Sequence, residues 1–243
     1  MQITHKAIIS PCRSASTALE NCFGQEPELR VIHQPIKSGL LRWGIEDYRI
    51  FFKKPLGARA IIFKETIGSR KLRTSRLIVF PSKELVSNTD QVFIFREPLE
   101  TWRSWLKYNY KNLDFFLISY KHTFHLLKES LEIAPQRVTC ITQDLFLDYP
   151  EQVLRELCSK WEIPYRENML WWERPFGSDT CLIEFSKFTK IAIHKRRVFD
   201  SLKKAETVIR TQPQQDLHPT NEQEFEVVRQ LAPIYQTVCS LSF

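Results

Sequence analysis

Short runs rich in β-branched and aromatic residues alternate along the chain with longer segments in which apolar residues recur every three or four positions. The short runs predict five buried strands, at residues 6–10, 29–33, 59–65, 91–96 and 137–142. The longer segments predict helices at residues 16–23, 98–110, 112–131, 149–161, 185–210 and 221–238. Buried strands separated by helices are typical of a parallel sheet with helices on its faces. We therefore expect an α/β fold.

The length and composition fit one globular domain. The chain has 243 residues, of which 43% are hydrophobic, and this is enough for a large core. No linker rich in proline, glycine or serine divides it. We expect a single domain over residues 1–243, with an α/β core at residues 6–164 and a helical C-terminal part at residues 165–243.

Charge and cysteine usage narrow the class of protein. Lysine and arginine number 35 against 28 acidic residues, and the net charge of +7 fits an anionic ligand such as a nucleotide, a nucleic acid or an anionic membrane surface. The six cysteines show neither a C-x-x-C pair nor a zinc-ligand spacing, and we expect no metal. No signal peptide and no membrane span can be identified. We therefore expect a cytoplasmic protein with reduced thiols.

Polar side chains stand where the predicted strands end. The carboxyl ends of parallel strands meet at one edge of a sheet, where ligands of such folds gather. The first four predicted strands end in cationic, hydroxyl or imidazole groups, which are Arg13, Ser14, Ser16, Thr17, His33, Lys64, Thr66 and Arg96. Their convergence predicts one anion-binding crevice.

The first of these segments, residues 10–17, has the outline of a phosphate-binding loop between a strand and a helix. Backbone N–H groups at a helix start, and the positive end of its dipole, favour a phosphate. Arg13 adds a charge, and the loop contains no glycine and no Walker A motif. Thr17 and Glu20 also match a capping box, so a purely structural role is open.

Two motifs, in order, resemble those of the sulfotransferases that use 3′-phosphoadenosine-5′-phosphosulfate (PAPS). The first is Pro11-Cys-Arg-Ser-Ala-Ser-Thr-Ala-Leu, which is similar to the 5′-phosphosulfate loop P-R-S-G-S/T-T-x-L. The second is an arginine that closes a strand with a serine eight residues later, here Arg96 and Ser104. Residues 137–151 resemble a further strand and helix start of the family. The similarity covers residues 6–20 and 91–164 best.

The resemblance implies a P-loop-like sulfotransferase architecture, PAPS as co-substrate and no metal. It assigns donor binding to Arg13, Ser14, Ala15, Ser16, Thr17, Ala18, Arg96 and Ser104. Lys64 is the second cation expected over the sulfuryl oxygens. A late basic run, Lys195-Arg196-Arg197, is a candidate lid over the 3′-phosphate. A salt bridge for Arg96 and a solvated helix face for the basic run are the structural alternatives.

The general base departs from the pattern of the family. Relatives often place a glutamate before a proline at the end of the second strand, whereas this chain has His33-Gln34-Pro35. An amide cannot act as a base, but an imidazole can, since it titrates near neutral pH. His33 and Glu65 are therefore the two candidates, together with Arg13 and Lys64 as catalytic residues.

The function expected is sulfuryl transfer to a hydroxyl or amine of a small-molecule acceptor, with no nucleic acid as partner. Two alternatives stay open: a nucleotide-binding, non-catalytic regulatory protein on the same fold, and a P-loop-like kinase. A nucleic-acid-binding protein is disfavoured because the basic residues are dispersed and no nucleic-acid-binding module can be identified. Acceptor and oligomeric state cannot be derived from the sequence.

Overall fold

The structure is a computed structural model, and it describes residues 4–43, 58–186, 190, 199–209 and 217–242. All statements below concern these residues. Residues 195–197, the candidate lid, lie outside them, as do parts of the helix expected at 185–210.

A six-stranded, wholly parallel sheet forms the centre of the described chain. Its strands are β1 (Thr4–Pro11), β2 (Leu29–His33), β3 (Ala60–Ile67), β4 (Thr89–Phe95), β5 (Val138–Thr142) and β6 (Glu184–Phe185), in the spatial order β5-β4-β1-β3-β2-β6. The first five strands confirm the predicted α/β fold. From β1, the chain builds β2 and β3 on one side and β4 and β5 on the other, so a ligand crevice is expected beside the end of β1.

Helices follow most strands and cover the sheet. They are α1 (Ser16–Phe23), α2 (Pro35–Trp43), α3 (Leu72–Ser75), α4 (Lys83–Ser87), α5 (Pro98–Lys107), α6 (Leu113–Ile133), α7 (Gln143–Asp148), α8 (Pro150–Lys160), α9 (Asp200–Lys203) and α10 (Glu222–Leu241). Short 3-10 turns occur at Pro135–Arg137 and Glu167–Met169. No helix among the described residues combines the length and the apolar character that crossing a membrane requires.

Alternate residues of the strands supply two separate cores, one on each face of the sheet. Ile8, Ile62 and Val92 belong to the core that also contains Phe23 of α1 and Trp161 after α8, whose rings stack at 5.1 Å. Ile9, Phe63 and Phe93 pack against α5, α6 and α10. Because side chains alternate along a strand, neighbouring polar residues at a strand end point to opposite faces.

The helix predicted for residues 185–210 is wrong at its start. Phe185 belongs to β6, which pairs with β2 through Ile32 and His33. Among the described residues of this range, Lys190 and Asp200–Lys203 are α-helical. A two-residue strand has too few residues to show an apolar alternation, and its partner is far away in sequence. The pairing brings Phe185 to the end of β2.

Candidate active site

The loop after β1 curls tightly before α1 begins. Arg13 and Ala15 have φ values of +81° and +56°, in the left-handed region that a residue with a Cβ rarely adopts. Such a turn gathers backbone N–H groups into a concave anion site, and a helix leaves the N–H groups of its first residues without intrahelical partners. Ser14 is buried, and its Oγ has no hydrogen-bond partner among the described residues. The loop therefore has the geometry of an anion cradle.

The predicted capping box at the start of α1 is wrong. Ala15 is the N-cap residue, and no side chain caps the helix. The hydroxyl of Ser16 accepts instead from Ser10 at 2.7 Å, which ties the first turn to the strand end. Thr17 and Glu20 consequently do not cap the helix, and they contact residues at the ends of β2 and β3.

The two segments that carry the family resemblance meet in space. Nε of Arg13 donates to Oγ of Ser104 at 3.1 Å, although 91 residues separate them. The guanidinium of Arg13 also lies 4.2 Å from the ring centroid of Tyr108, at the end of α5. Trp105 Nε1 donates to the carbonyl oxygen of Cys12 at 2.9 Å, so α5 holds the loop at two points.

Arg96 stands at the end of β4, as the sequence predicts. Its Nε forms an ion pair with Oε2 of Glu100 at 2.9 Å, and its side chain is 25% exposed. Its carbonyl oxygen accepts from the hydroxyl of Tyr120 at 2.8 Å. The bond from Tyr120 thus fixes the backbone at Arg96. The guanidinium has Glu100 as its carboxylate partner and carries further N–H donors.

Lys64, Thr17, Glu20 and His33 form a buried polar network on the α1 face of the sheet. Lys64 Nζ donates to Thr17 Oγ1 at 2.9 Å and lies 3.5 Å from Glu20 Oε2. The same carboxylate oxygen is 2.7 Å from Nδ1 of His33. His33 pairs with Lys64 in the register of β2 and β3, so the two strand ends are neighbours. One carboxylate therefore holds both the lysine and the imidazole.

Burial governs the protonation of this network. It lowers the pKa of Lys64, although Glu20 opposes the effect. Burial also lowers the pKa of His33. The charge of Lys64 lowers this pKa further, whereas Glu20 raises it. A neutral imidazole beside a carboxylate oxygen carries its proton on Nδ1, which leaves the lone pair on Nε2. Nδ1 is the ring nitrogen that faces Glu20, at 2.7 Å.

Glu65 lies on the opposite face of the sheet from Lys64. Its Oε1 accepts from the N–H of Ile36 at 2.6 Å, and both carboxylate oxygens lie 3.3 Å from the N–H of Lys37. Burial raises the pKa of Glu65 to about 8, and these bonds and Lys37 oppose the rise. The side chain therefore holds the start of α2, and this geometry favours His33 over Glu65 as the base.

Three phenylalanines surround the ring of His33. Its centroid lies 5.3 Å from that of Phe185, 5.6 Å from that of Phe176 and 6.1 Å from that of Phe199. His33 is 2% exposed, so these side chains enclose the imidazole. These aromatic residues come from the region where the family resemblance is weakest.

Sequence reasoning missed the partner roles of Glu20 and Tyr108. A signal for Glu20 exists, because it is an acidic residue next to Leu19 and close to Cys22 and Phe23, on the apolar part of a short helix. A carboxylate on such a surface needs a charged partner. Tyr108 carries no comparable signal, since its contact with Arg13 depends on where α5 ends.

Comparison with known proteins gives structural matches only. No family model matches the chain, and no curated protein matches its sequence. The sulfotransferase domain of the curacin biosynthetic pathway is 14% identical, with a TM-score of 0.51 over 96% of this chain and 98% of that domain. The sulfotransferase domain of the Synechococcus PCC 7002 olefin synthase is 11% identical, with a TM-score of 0.55 over 95% of each chain.

A third solved structure, mouse sulfotransferase SULT7A1 complexed with PAP, is 11% identical and has a TM-score of 0.58, over 99% of this chain and 88% of that one. All three matches extend over nearly the whole chain. At these identities the likeness concerns the fold. The chain has the sulfotransferase fold.

Proposed function

We propose that this chain is a sulfotransferase that moves the sulfuryl group of PAPS to a hydroxyl or amine of a small acceptor. The observation that carries the proposal is the contact between Arg13 and Ser104. It joins the loop after β1 to the helix after β4, and these are the two segments that resemble the 5′-phosphosulfate and 3′-phosphate motifs. A fold alone would not require both motifs to be present and in contact.

The donor would be held by the loop and by α5. Arg13 and the N–H groups of residues 14–17 suit the 5′-phosphosulfate, and Arg96 with Ser104 suits the 3′-phosphate. The Oγ of Ser14, which has no hydrogen-bond partner among the described residues, fits this role, because a buried hydroxyl without a partner is costly unless a ligand supplies one. The N–H of Ala18, also expected at this site, donates to the carbonyl oxygen of Ala15 at 2.8 Å. Residues 195–197 are kept as a proposed lid. When bound, PAPS supplies the sulfuryl group and leaves as adenosine 3′,5′-bisphosphate.

Lys64 is proposed to stabilise negative charge on the transferring group. Its ammonium is wholly buried, and Thr17 and Glu20 orient it. A cation held in a dry site needs no reorganisation when charge develops, and this makes its stabilisation effective. Sulfuryl transfer, like phosphoryl transfer, depends chiefly on such positioning and charge stabilisation.

His33 is proposed as the general base, with Glu20 as its positioning residue. The acceptor proton would pass to Nε2, while Glu20 holds the proton on Nδ1 and stabilises the imidazolium that forms. The enclosed ring requires the phenylalanine cluster to open for an acceptor. The same enclosure favours the second candidate function, a nucleotide-binding protein without transfer activity.

Calorimetric titration with adenosine 3′,5′-bisphosphate, with ADP as the competing nucleotide, tests the donor site. We expect clear preference for the bisphosphate, and a Kd about tenfold to a hundredfold higher for Arg96→Ala, because a charge-assisted phosphate contact contributes about 1.5–3 kcal/mol. Arg229→Ala is the matched control, since Arg229 is an arginine of α10 paired with Glu226. Equal affinity for ADP, or an unchanged Kd in Arg96→Ala, would overturn the proposal. Bisphosphate binding without transfer to any acceptor would favour the non-catalytic candidate.

A further inference from the structure

An eight-residue segment after β3 carries four exposed cations and no acidic residue. This segment, residues 69–76, is named the basic loop although it includes the one-turn helix α3, and it contains Arg70, Lys71, Arg73 and Arg76. Like charges so close together repel one another, and surfaces of ordinary proteins intersperse both signs. The concentration of charge therefore requires a reason beyond solubility.

None of these four cations forms an ion pair with a described residue. Elsewhere in the described chain, arginine is commonly paired with a carboxylate. The arginines that form such pairs are Arg30, Arg96, Arg103, Arg137, Arg155, Arg166 and Arg229. The basic loop thus differs from the rest of the described structure in offering cations that no described carboxylate neutralises.

The basic loop is held in a fixed shape. Gly68 N donates to the carbonyl oxygen of Thr74 at 2.7 Å, and the hydroxyls of Ser69 and Thr74 lie 2.6 Å apart. The buried ammonium of Lys37 donates to the carbonyl oxygen of Gly68 at 2.6 Å. Arg73 Nη2 donates to the carbonyl oxygen of Leu41 at 3.1 Å. A ligand that binds here meets cations on an ordered backbone, which lowers the entropy lost on binding.

The basic loop also borders the proposed donor site. Arg70 Nη2 donates to the carbonyl oxygen of Tyr108 at 3.0 Å, and its guanidinium lies 5.1 Å from the ring centroid of Tyr110. The ring of Tyr108 carries the guanidinium of Arg13. One tyrosine therefore separates the loop cations from the arginine proposed to hold the phosphosulfate. Leu72, 45% exposed, adds an apolar contact among the cations.

We propose that the basic loop binds an anionic group of the acceptor, so that the substrates are hydroxyl or amine compounds that also carry a carboxylate, phosphate or sulfonate. This inference rests on the proposed function, because it places the acceptor at the same crevice. The donor phosphates have their own cations in Arg13, Lys64 and Arg96. The four loop cations are additional to these and lie beyond Tyr108, where part of an acceptor would extend from the crevice.

A pair of fluorescent phenols tests the inference by binding alone. The probes are 8-hydroxypyrene-1,3,6-trisulfonate and the uncharged 1-hydroxypyrene, titrated by fluorescence anisotropy with saturating adenosine 3′,5′-bisphosphate. The test variant replaces Arg70, Lys71, Arg73 and Arg76 by glutamine. The control variant replaces four other exposed cations by glutamine, with the same change of net charge: Lys83, Lys128, Arg155 and Arg229.

We expect the test variant to bind the trisulfonate at least tenfold more weakly, with less than a twofold change for the control variant and for 1-hydroxypyrene. A Lys71→Gln/Arg76→Gln double variant keeps the carbonyl contacts of Arg70 and Arg73 and should show at least a threefold loss. No trisulfonate binding to the wild type, or an equal loss in the control, would overturn the inference.

The nucleotide titration separates this inference from the proposed function. If the four substitutions weaken bisphosphate binding as much as trisulfonate binding, the cations belong to the donor site and the acceptor assignment is wrong. If the wild type fails to bind the bisphosphate, the proposed function fails, whatever the trisulfonate result. Tight, loop-dependent capture of a single-stranded oligonucleotide in place of the trisulfonate would assign the loop to nucleic acid and refute the acceptor role.

Discussion

The buried carboxylate of Glu20 offers the sharpest test of the network at the centre of the site. The substitution Glu20→Gln preserves the shape of the side chain and removes its charge. In the wild type that charge lies 3.5 Å from Nζ of Lys64 and 2.7 Å from Nδ1 of His33, and all three side chains are buried. Without it, the ammonium of Lys64 has no counter-charge in the network.

The expected cost follows from that distance. Two unit charges 3.5 Å apart interact by about 5 kcal/mol at an effective dielectric constant of about 20. Removal of one partner of a buried ion pair typically costs about 3–5 kcal/mol. We therefore expect the free energy of unfolding at pH 7 to fall by about 3–5 kcal/mol in Glu20→Gln.

The cost should shrink as the pH rises. Burial already lowers the pKa of Lys64 from its ordinary value of 10.5, and loss of the Glu20 charge lowers it further. Above that lowered pKa the folded variant holds a neutral lysine, while the unfolded chain stays protonated up to 10.5. The unfolded state then binds more protons, so the stability of the variant rises by about 1.4 kcal/mol per pH unit toward 10.5.

Urea unfolding at pH 7 and at pH 9.5 measures both effects. Glu26→Gln is the matched control, because Glu26 is equally buried but pairs with the exposed Arg166, and we expect it to cost no more than about 1 kcal/mol. The double variant Glu20→Gln/Lys64→Met should regain at least about 2 kcal/mol over Glu20→Gln alone, since it removes the unpaired charge. A loss in Glu20→Gln that is independent of pH, or no recovery in the double variant, would refute the reasoning.

Two further changes test how the site is supported. The pKa of Glu224 is lowered to about 2, chiefly by its hydrogen bond with Arg103 of α5. Solvent screens this pair because Arg103 is partly exposed, so we expect Glu224→Gln to cost only about 2 kcal/mol at pH 7. Urea unfolding should show that this cost disappears as the pH falls from 4.5 through about 2. Gly68 has a φ of +98°, and an added Cβ would lie 2.9 Å from Trp105 and 2.8 Å from Cβ of Ser119, so Gly68→Ala should lose about 2–4 kcal/mol in thermal unfolding. A loss below about 1 kcal/mol in either variant would contradict the packing described.

The sheet was predictable because its strands are buried on both faces. Apolar residues predominate in the runs at residues 29–33 and 91–96, which contain only two polar residues each, and Pro98 marks the start of α5 as expected. The elements that escaped prediction are short or lack a periodic pattern, as in α3, α4 and β6. Their positions depend on tertiary contacts, such as the pairing of Phe185 with His33.

The sequence predicts which residues of the candidate site stand at strand ends, but not the face of the sheet to which each side chain points. Lys64 and Glu65 are adjacent in sequence, and the rule that parallel strands end at one edge brings both to the crevice. Only the register and the neighbouring helices show that Lys64 meets α1 and that Glu65 meets the start of α2. The partner of a buried charge is often distant in sequence, as Glu20 is from Lys64, so a local sequence pattern does not identify it.

The exchange of the usual glutamate for His33-Gln34 leads to a prediction about the pH dependence of transfer. Gln34 donates to Thr66 Oγ1 at 2.9 Å, so the position where relatives often carry a glutamate holds a structural amide. The carboxylate comes instead from Glu20 of α1 and reaches the imidazole one residue earlier. If His33 is the base, kcat/KM for an acceptor found by screening should rise with pH through a value below 6.5, because burial lowers the pKa of His33.

Glu65 would give a different profile. Its pKa of about 8 means that a rate limited by its ionisation would rise through about pH 8 and reach a plateau only above that value. The two candidates are therefore separated by more than one pH unit, and an alcohol acceptor that does not ionise in this range keeps the profile specific to the enzyme. An acid limb centred near pH 8 that Glu65→Gln abolishes and His33→Gln leaves in place would show that Glu65 of β3, and not His33 of β2, is the base. A limb below pH 6.5 that moves to lower pH in Glu20→Gln would assign the base to His33, because the imidazolium then lacks its carboxylate.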